Sequence, residues 1–214
     1  MAPTATVARN RGRPRGFDEE VVLDALVGLF ADRGFEAASL ADIVEVAGLN
    51  KSSLYNAFGS KDELFEQVLG RYVEQRTQLL DAAIAGDRGL DALLDLVELI
   101  RAEALGPDGR RGCLALNSAA ELGQTSATVA AFAQRYRDAL RVAVRRPLER
   151  AAERGEIPPD MVDVYVDTAV SFMVAAALAA RGGAGPDEIN RHLDSMCRLV
   201  ESWRRRVAEQ GSET

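Results

Sequence analysis

The chain has 214 residues and a net charge of −7, with 47% hydrophobic and 28% charged residues. This is the composition of a soluble globular protein, and it excludes disordered, collagen-like and membrane-embedded classes. Alanine is abundant and strand-favouring residues are sparse, which favours an all-α fold of about nine helices. The length predicts one or two domains with a buried core.

Chemistry-bearing residues are few. The two cysteines, Cys113 and Cys197, make no disulfide framework for a chain of this length, and a single histidine, His192, removes most metal and triad chemistry. The N-terminus lacks the apolar segment of a signal peptide, and the longest apolar stretch, residues 169–180, is shorter than the roughly 20 residues of a membrane span. We therefore expect a cytoplasmic protein without a membrane contact, with no metal or cofactor, and not an enzyme.

The two ends of the chain are predicted to be disordered. Residues 1–16 form a basic arm that contains Arg11, Arg13 and Arg15 and no acid, and residues 209–214 form a short tail. The Arg-Gly-Arg-Pro sequence that starts at Arg11 is the core of a hook for an A·T-rich minor groove, where the negative potential favours arginine. A solvated tail without a DNA contact is the alternative.

Three helices are predicted after the arm, of which the second and third are short. Asp18 is an N-cap for the first helix, and Gly34 is expected to end it. Ser39 opens the second helix with a Ser-x-x-Asp capping box, Gly48 breaks it, and Asn50 caps the third. Two short capped helices joined by Ala-Gly-Leu have the geometry of a helix-turn-helix.

The rest of the chain keeps a helical apolar pattern. It predicts six further helices, near residues 60–84, 89–105, 113–122, 126–154, 161–181 and 187–208. Pro147 lies inside one of them and should kink or split it.

The outward face of the third helix is polar. Its side chains are short or hydrogen-bonding, which suits the DNA major groove and not a core. They belong to Lys51, Ser52, Ser53, Tyr55 and Asn56.

Residues 17–69 resemble the tetracycline-repressor (TetR) family. The motifs that carry the resemblance are Ser-Leu-Ala-Asp-Ile from Ser39, Leu-Tyr-x-x-Phe from Leu54, and Ser-Lys-x-x-Leu from Ser60. The resemblance implies a helix-turn-helix DNA-binding domain over residues 17–62 and a helical ligand-binding and dimerisation domain over residues 63–208. It also implies a homodimeric repressor that binds a palindromic operator in double-stranded DNA and is released by a small-molecule effector.

The resemblance further implies individual DNA contacts. Ser39, Tyr55 and Lys61 would hold phosphates. The residues that would face base edges are Lys51, Ser52, Ser53 and Asn56. The alternative is that these side chains only cap and solvate a small bundle.

The last helix predicts a dimer seam. Its apolar residues repeat at spacings of four and three, as in a coiled coil: Ile189, Leu193, Met196, Val200 and Trp203. We expect them to build a four-helix interface with the helix before them in each subunit. Packing within one subunit is the alternative.

The effector pocket is harder to read from sequence. Its candidates lie on helices that usually wall the pocket in the family, although each of them fits a core position too. They are Tyr72, Cys113, Asn117, Glu121, Tyr136 and Phe172.

Cys113 supports a second hypothesis. It is predicted in the first turn of a helix, directly after Arg110, Arg111 and Gly112, and this positive environment favours the reactive thiolate. The protein would then sense electrophiles or oxidants, although an inert packed cysteine is the commoner case. A third hypothesis is an architectural DNA-binding protein without a ligand, which a regulatory half with no cavity would favour.

Overall fold

A computed structural model describes residues 17–211, with side chains as far as residue 204. The predicted basic arm, with Arg11, Arg13 and Arg15, lies outside the described residues, as do residues 212–214.

Within the described range the fold is all-α, as predicted, with no strand. The helices are α1 (Glu19–Ala37), α2 (Leu40–Ala47), α3 (Lys51–Phe58), α4 (Lys61–Ala83), α5 (Leu90–Leu105), α6 (Leu114–Leu122), α7 (Ala127–Glu153), α8 (Val162–Arg181) and α9 (Pro186–Gly211). Two short 3-10 turns, Gly109–Arg111 and Pro159–Met161, precede α6 and α8.

The predicted helix caps are present. Ser39 and Ser60 form capping boxes. In each box the serine hydroxyl accepts the backbone N–H of the acid three residues later, and the carboxylate of that acid accepts the backbone N–H of the serine. Asp18 and Asn50 cap α1 and α3 through their side chains. Gly48 adopts φ 62° and ψ 21°, the left-handed conformation that allows the tight turn between α2 and α3.

Three details of the helices differ from the prediction, and one of them is that α9 continues to Gly211, into the predicted tail. Gly34 leaves helical geometry, with φ 79° and ψ 178°, but a further helical turn follows and α1 extends to Ala37. Pro147 does not split its helix, because α7 is continuous from Ala127 to Glu153. The proline is buried on the inner face of α7, where packing against neighbouring helices offsets the lost backbone hydrogen bond.

The N-terminal helices share one small core. Leu26 and Phe30 of α1, Ile43 of α2 and Leu54 of α3 are at most 2% exposed. The ring of Phe30 packs edge-on against Phe65 of α4, with 4.9 Å between the ring centroids. Helix α4 continues into the second half and packs along α7, so it connects the two cores.

The apolar seam of α9 is buried within the subunit. It packs against α5 and α8, and the stacked rings of Tyr165 and Trp203 lie 3.9 Å apart. None of its five side chains is more than 2% exposed: Ile189, Leu193, Met196, Val200 and Trp203. The prediction that these residues face a partner is therefore corrected, because a side chain with no exposed surface has none to offer to another subunit.

One helical segment, Pro159–Arg181, is long and apolar enough to cross a membrane, with a mean hydropathy of 1.6. Helices in the core of soluble proteins pass the same test. Here α8 packs against α7 and α9, and Val166, Ala169 and Ala176 are fully buried at 0% exposure. Helix packing buries 33% of its most apolar 18-residue window in this way.

Candidate DNA-binding surface and effector cavity

The helix-turn-helix presents a polar face to solvent. Leu54 and Phe58 anchor α3 in the core, which turns Lys51, Ser52, Tyr55 and Asn56 outward on the opposite side. Tyr55 is 41% exposed. The same geometry leaves Ser53 half-buried, with its backbone N–H bonded to the side chain of Asn50 at 2.8 Å.

The predicted phosphate contacts flank this face. Ser39 is exposed at the N-terminus of α2, and its hydroxyl donates to the Asp42 carboxylate at 2.7 Å. The ammonium of Lys61, at the start of α4, lies 4.4 Å from the centroid of the Phe35 ring. Sequence reasoning missed Arg33, which pairs with Asp42 at 2.6 Å and brings a half-exposed guanidinium beside the α2 N-terminus.

These contacts affect the acid in the α2 capping box. Hydrogen bonds from Ser39, helped by the positive charge of Arg33, hold the pKa of Asp42 below its usual value. The carboxylate therefore stays ionised and keeps Ser39 and Arg33 in place at neutral pH.

The second half contains a cavity of about 440 Å³. Helices α1, α4, α5, α6, α7 and α8 all contribute to its walls, which are mainly apolar. Its polar side chains are Tyr72, Arg76, Glu103, Asp108, Arg111, Cys113 and Tyr136. Tyr72, Cys113 and Tyr136 were predicted here, whereas sequence reasoning missed Arg76 and Glu103.

The polar wall of the cavity is built around a partly buried ion pair, in which the side chains of Arg76 and Glu103 are 18% and 36% exposed. Arg76 of α4 donates two hydrogen bonds to Glu103 of α5, and its Nε is buried without a hydrogen-bond partner. The Tyr72 hydroxyl donates to the Cys113 sulfur at 3.6 Å. Burial raises the pKa of Tyr72 and Tyr136, so both phenols stay protonated at neutral pH and remain hydrogen-bond donors.

Three predicted ligand contacts lie elsewhere. The Asn117 amide donates to the Arg111 carbonyl at 2.8 Å, and the ring of Phe172 packs 5.0 Å from that of His192. Glu121 accepts backbone N–H bonds from the end of α1. None of these three side chains lines the cavity, because each is turned toward a neighbouring helix or loop.

The surroundings of Cys113 also differ from the prediction. The residue is the N-cap of α6 and is 7% exposed, with its thiol at the cavity wall. The positive charge of Arg111 is paired with carboxylates and does not stabilise a thiolate at Cys113, since its guanidinium lies 2.7 Å from Asp32 and 2.6 Å from Asp108. The guanidinium of Arg76 also lines the cavity with Tyr72 and Cys113, and its charge acts on the Tyr72 phenol.

A polar helix-turn-helix face joined to a helical domain with an internal cavity defines a DNA-binding regulator. Residues 22–68 match the model of the bacterial regulatory proteins of the tetR family, and residues 87–196 match the tetracyclin repressor-like C-terminal domain. The chain belongs to the TetR family. It is a DNA-binding transcriptional regulator and not an enzyme.

Characterised relatives agree with this assignment. The chain is 29% identical to the transcriptional repressor ComR of Escherichia coli, over 92% of this chain and 95% of that protein. It is 37% identical to the repressor BdcR of the same organism, over 51% of this chain and 55% of that protein. Among solved structures, a CifR cysteine mutant complexed with 26-bp operator DNA superposes with a TM-score of 0.74, at 26% identity, over 89% of this chain and all of that one.

Proposed function

We propose that this regulator is a homodimeric repressor that binds a palindromic operator and leaves it when a small molecule enters the cavity. The observation that carries the proposal is the position of the cavity. Its walls include α1 and α4, which hold the helix-turn-helix core, together with α5, α6, α7 and α8 of the second half. A ligand there contacts both halves at once, so its binding energy can favour one arrangement of the DNA-binding domain over another.

On the DNA side, α3 enters the major groove. Lys51, Ser52 and Asn56 face base edges there, while Tyr55 holds a phosphate. Ser53 has the weakest role of the predicted base contacts, because it is half-buried. Ser39 and Lys61 add phosphate contacts, with Arg33 as an additional cation beside Ser39. The DNA-binding domain corresponds to residues 17–62 and the regulatory domain to residues 63–208.

The cavity favours a neutral effector. Its walls are mainly apolar, the charge of Arg76 is already balanced by Glu103, and both tyrosines are protonated. An apolar molecule with a carbonyl or hydroxyl oxygen fits this chemistry, since the oxygen can accept from a phenol. A carboxylate ligand would have to compete with Glu103 for the guanidinium, at the cost of burying a second negative charge.

The dimer is assigned to the exposed face of α8. Val164 and Leu178 are both 52% exposed, and Ser171 and Ala175 lie between them on the same side of the helix. Large apolar side chains on either side of small ones allow two helices to approach closely. A second copy of the chain therefore covers this face, and the α9 seam supports it from inside the subunit.

Footprinting tests the proposal. The purified protein is applied to the DNA upstream of its own coding region, with and without an extract of small metabolites. We expect protection of a palindromic site that the extract abolishes. Tyr136→Phe should protect the same site as wild type. The extract should abolish this protection less effectively, because the phenol that the variant lacks lies at the cavity wall. Tyr165→Phe is the matched control, since Tyr165 is buried against Trp203 and outside the cavity. A footprint that no fraction of the extract alters would contradict release by a ligand.

The thiol hypothesis remains a second candidate because Cys113 lines the cavity beside Tyr72. An electrophile that enters the cavity would meet the sulfur there. Cys113→Ser separates the two mechanisms: it abolishes release by an electrophile and leaves release by a reversible ligand intact. The cavity favours a ligand-responsive regulator over the ligand-free architectural hypothesis, which a regulatory half without a cavity would have favoured.

A further inference from the structure

The end of α1 is held by side chains from the regulatory half. Glu121 of α6 accepts two backbone N–H groups, from Phe35 at 3.0 Å and from Glu36 at 2.8 Å. Both N–H groups follow the break in helical geometry at Gly34. One carboxylate therefore satisfies two donors that the interrupted helix leaves open.

The carbonyl side of the same turn is held from α8. Arg181 donates to the Ala31 carbonyl at 2.7 Å and to the Asp32 carbonyl at 3.2 Å. Arg111, in the 3-10 turn before α6, pairs with the Asp32 side chain at 2.7 Å. We call Glu121, Arg181 and Arg111 the α1 clamp. Its three members come from three separate elements of the regulatory half, and all of them bind residues 31–36.

Glycines make room for the clamp. A Cβ on Gly34 would lie 2.8 Å from a carboxylate oxygen of Glu121, whereas one on Gly28 would lie 3.4 Å from the Arg111 guanidinium, an ordinary contact distance. A Cβ on Gly112 would lie 3.0 Å from both the Ala177 carbonyl and the Arg181 Cβ. The backbone at Gly112 is therefore in close contact with α8 next to a clamp residue.

The clamp adjoins the effector cavity. Gly28 and Ala31 of α1, Gly112, and Ala177 of α8 all line it, as does Arg111 itself. A molecule in the cavity touches both the clamp and the turn of α1 that the clamp holds. The other face of α1 packs into the helix-turn-helix core through Leu26 and Phe30.

We infer that the α1 clamp positions the helix-turn-helix relative to the regulatory half and transmits the state of the cavity to it. Glu121 and Arg181 are positioning residues, since they act on DNA through the backbone of α1. The transmission step rests on the proposed function; the positioning step does not.

Hydrogen exchange tests the positioning step in the full-length protein. Glu121→Gln keeps the shape of the side chain but removes the charge and one acceptor oxygen. We expect the amides of Phe35 and Glu36 to exchange at least about tenfold faster, because each loses a charge-assisted bond. Exchange in α9 should not change. Glu149→Gln is the matched control: Glu149 is exposed on α7, and its ion pair among the described residues is with Arg145 of the same helix, at 3.6 Å. Unchanged exchange at residues 35 and 36 in Glu121→Gln overturns the inference.

A double-mutant cycle tests the transmission step. Ala177→Phe places a permanent ring in the cavity beside Gly112, with Ala177→Leu as a smaller occupant if the ring prevents folding. We expect Ala177→Phe to weaken operator binding by about tenfold or more, and by less than about threefold when Glu121→Gln is already present. Two effects that simply add, or an Ala177→Phe protein that binds its operator like wild type, overturn transmission through the clamp. If the wild-type protein binds no operator, the proposed function is contradicted. The hydrogen-exchange experiment still tests the positioning step, because it does not depend on DNA binding.

Discussion

Glu121 occupies the space into which a side chain at residue 34 would project. A Cβ built on Gly34 would lie 2.8 Å from one carboxylate oxygen and 3.2 Å from the other. The backbone there, at φ 79° and ψ 178°, is a conformation that is open almost exclusively to glycine. Gly34 thus serves both the geometry of α1 and its attachment to α6.

Gly34→Ala is therefore expected to lower the free energy of unfolding by about 2 kcal/mol, from backbone strain together with the displacement of Glu121. Urea denaturation followed by circular dichroism measures the change. Gly185→Ala is the control, because a Cβ there meets nothing within 4 Å and its φ is not in the left-handed region. It should lower stability by no more than about 1 kcal/mol, the cost of alanine in place of glycine at the N-cap of α9. Equal effects at the two sites would contradict the role assigned to Gly34.

Substitutions on the exposed face of α3 are expected to weaken specific DNA binding. Lys51→Ala and Tyr55→Phe should each weaken operator affinity by about tenfold, since each removes a contact worth about 1–3 kcal/mol, while the fold is preserved. Both side chains are outside the core, so their thermal denaturation curves should match that of wild type. Titration of a fluorescent operator duplex measures the affinities. Wild-type affinity in both variants would place the base-reading surface elsewhere.

Lys61 should contribute to binding through a phosphate. Lys61→Ala is expected to reduce the slope of log affinity against log salt by about 0.9, the contribution of one released counterion. Arg198→Ala is the control: this exposed cation lies on α9, away from the helix-turn-helix, and its removal should leave the slope unchanged. If Lys61→Ala also leaves the slope unchanged, the ammonium serves only the ring of Phe35, which it contacts at 4.4 Å.

The proposed dimer face on α8 and the buried seam of α9 predict different outcomes for two substitutions by glutamate. Leu193 is 0% exposed within the subunit, so Leu193→Glu buries an unpaired charge and should unfold the chain. Leu178 is 52% exposed on α8, so Leu178→Glu should give folded monomers that bind the operator weakly. Sedimentation and circular dichroism distinguish these states. Leu79→Glu, on the exposed face of α4, should remain a folded dimer.

Local structure was predictable because short-range chemistry determines it. The capping boxes at Ser39 and Ser60 and the left-handed Gly48 follow from residues that lie within four positions of each other. The packing partner of a side chain was not predictable. An apolar stripe on a helix shows that a residue faces inward, but it does not show which element the residue contacts. The α9 seam therefore suggested a partner subunit although α5 and α8 cover it. Glu121 likewise suggested a ligand although its partner is the backbone of α1, 85 and 86 residues away.

The sequence pattern around Arg76 contains a signal that indicates a polar contact inside the protein. Arg76 lies on the same face of α4 as Leu69, Tyr72 and Val73, where a charged residue interrupts an apolar stripe. A charge in such a stripe requires an oppositely charged partner, which is the partly exposed Glu103. The pairing itself spans two helices and could not be identified without the fold.

Asp24 links α1 to α4 and predicts a pH-dependent stability. Its carboxylate accepts from Arg71 Nε at 2.6 Å, from Arg71 Nη2 at 2.8 Å and from Gln75 at 2.9 Å. The hydrogen bonds from Arg71, followed by that from Gln75, lower the pKa of Asp24 from its usual 3.8. Because the pKa is lower in the folded state, the resulting stabilisation is complete above the unfolded value and is lost as the pH falls through the folded value.

Asp24→Asn should therefore destabilise the protein at neutral pH and cease to do so in acid. The carboxylate is 45% exposed, so solvent screening limits the loss to about 0.5–1 kcal/mol at pH 7. The difference from wild type should stay constant down to about pH 5 and shrink toward zero below about pH 3. Urea denaturation at each pH measures it, and Asp87→Asn, at an exposed position in the loop before α5, should follow wild type throughout. A difference that persists undiminished in acid would show that the asparagine disturbs packing, and that the charge of Asp24 does not hold α1 against α4.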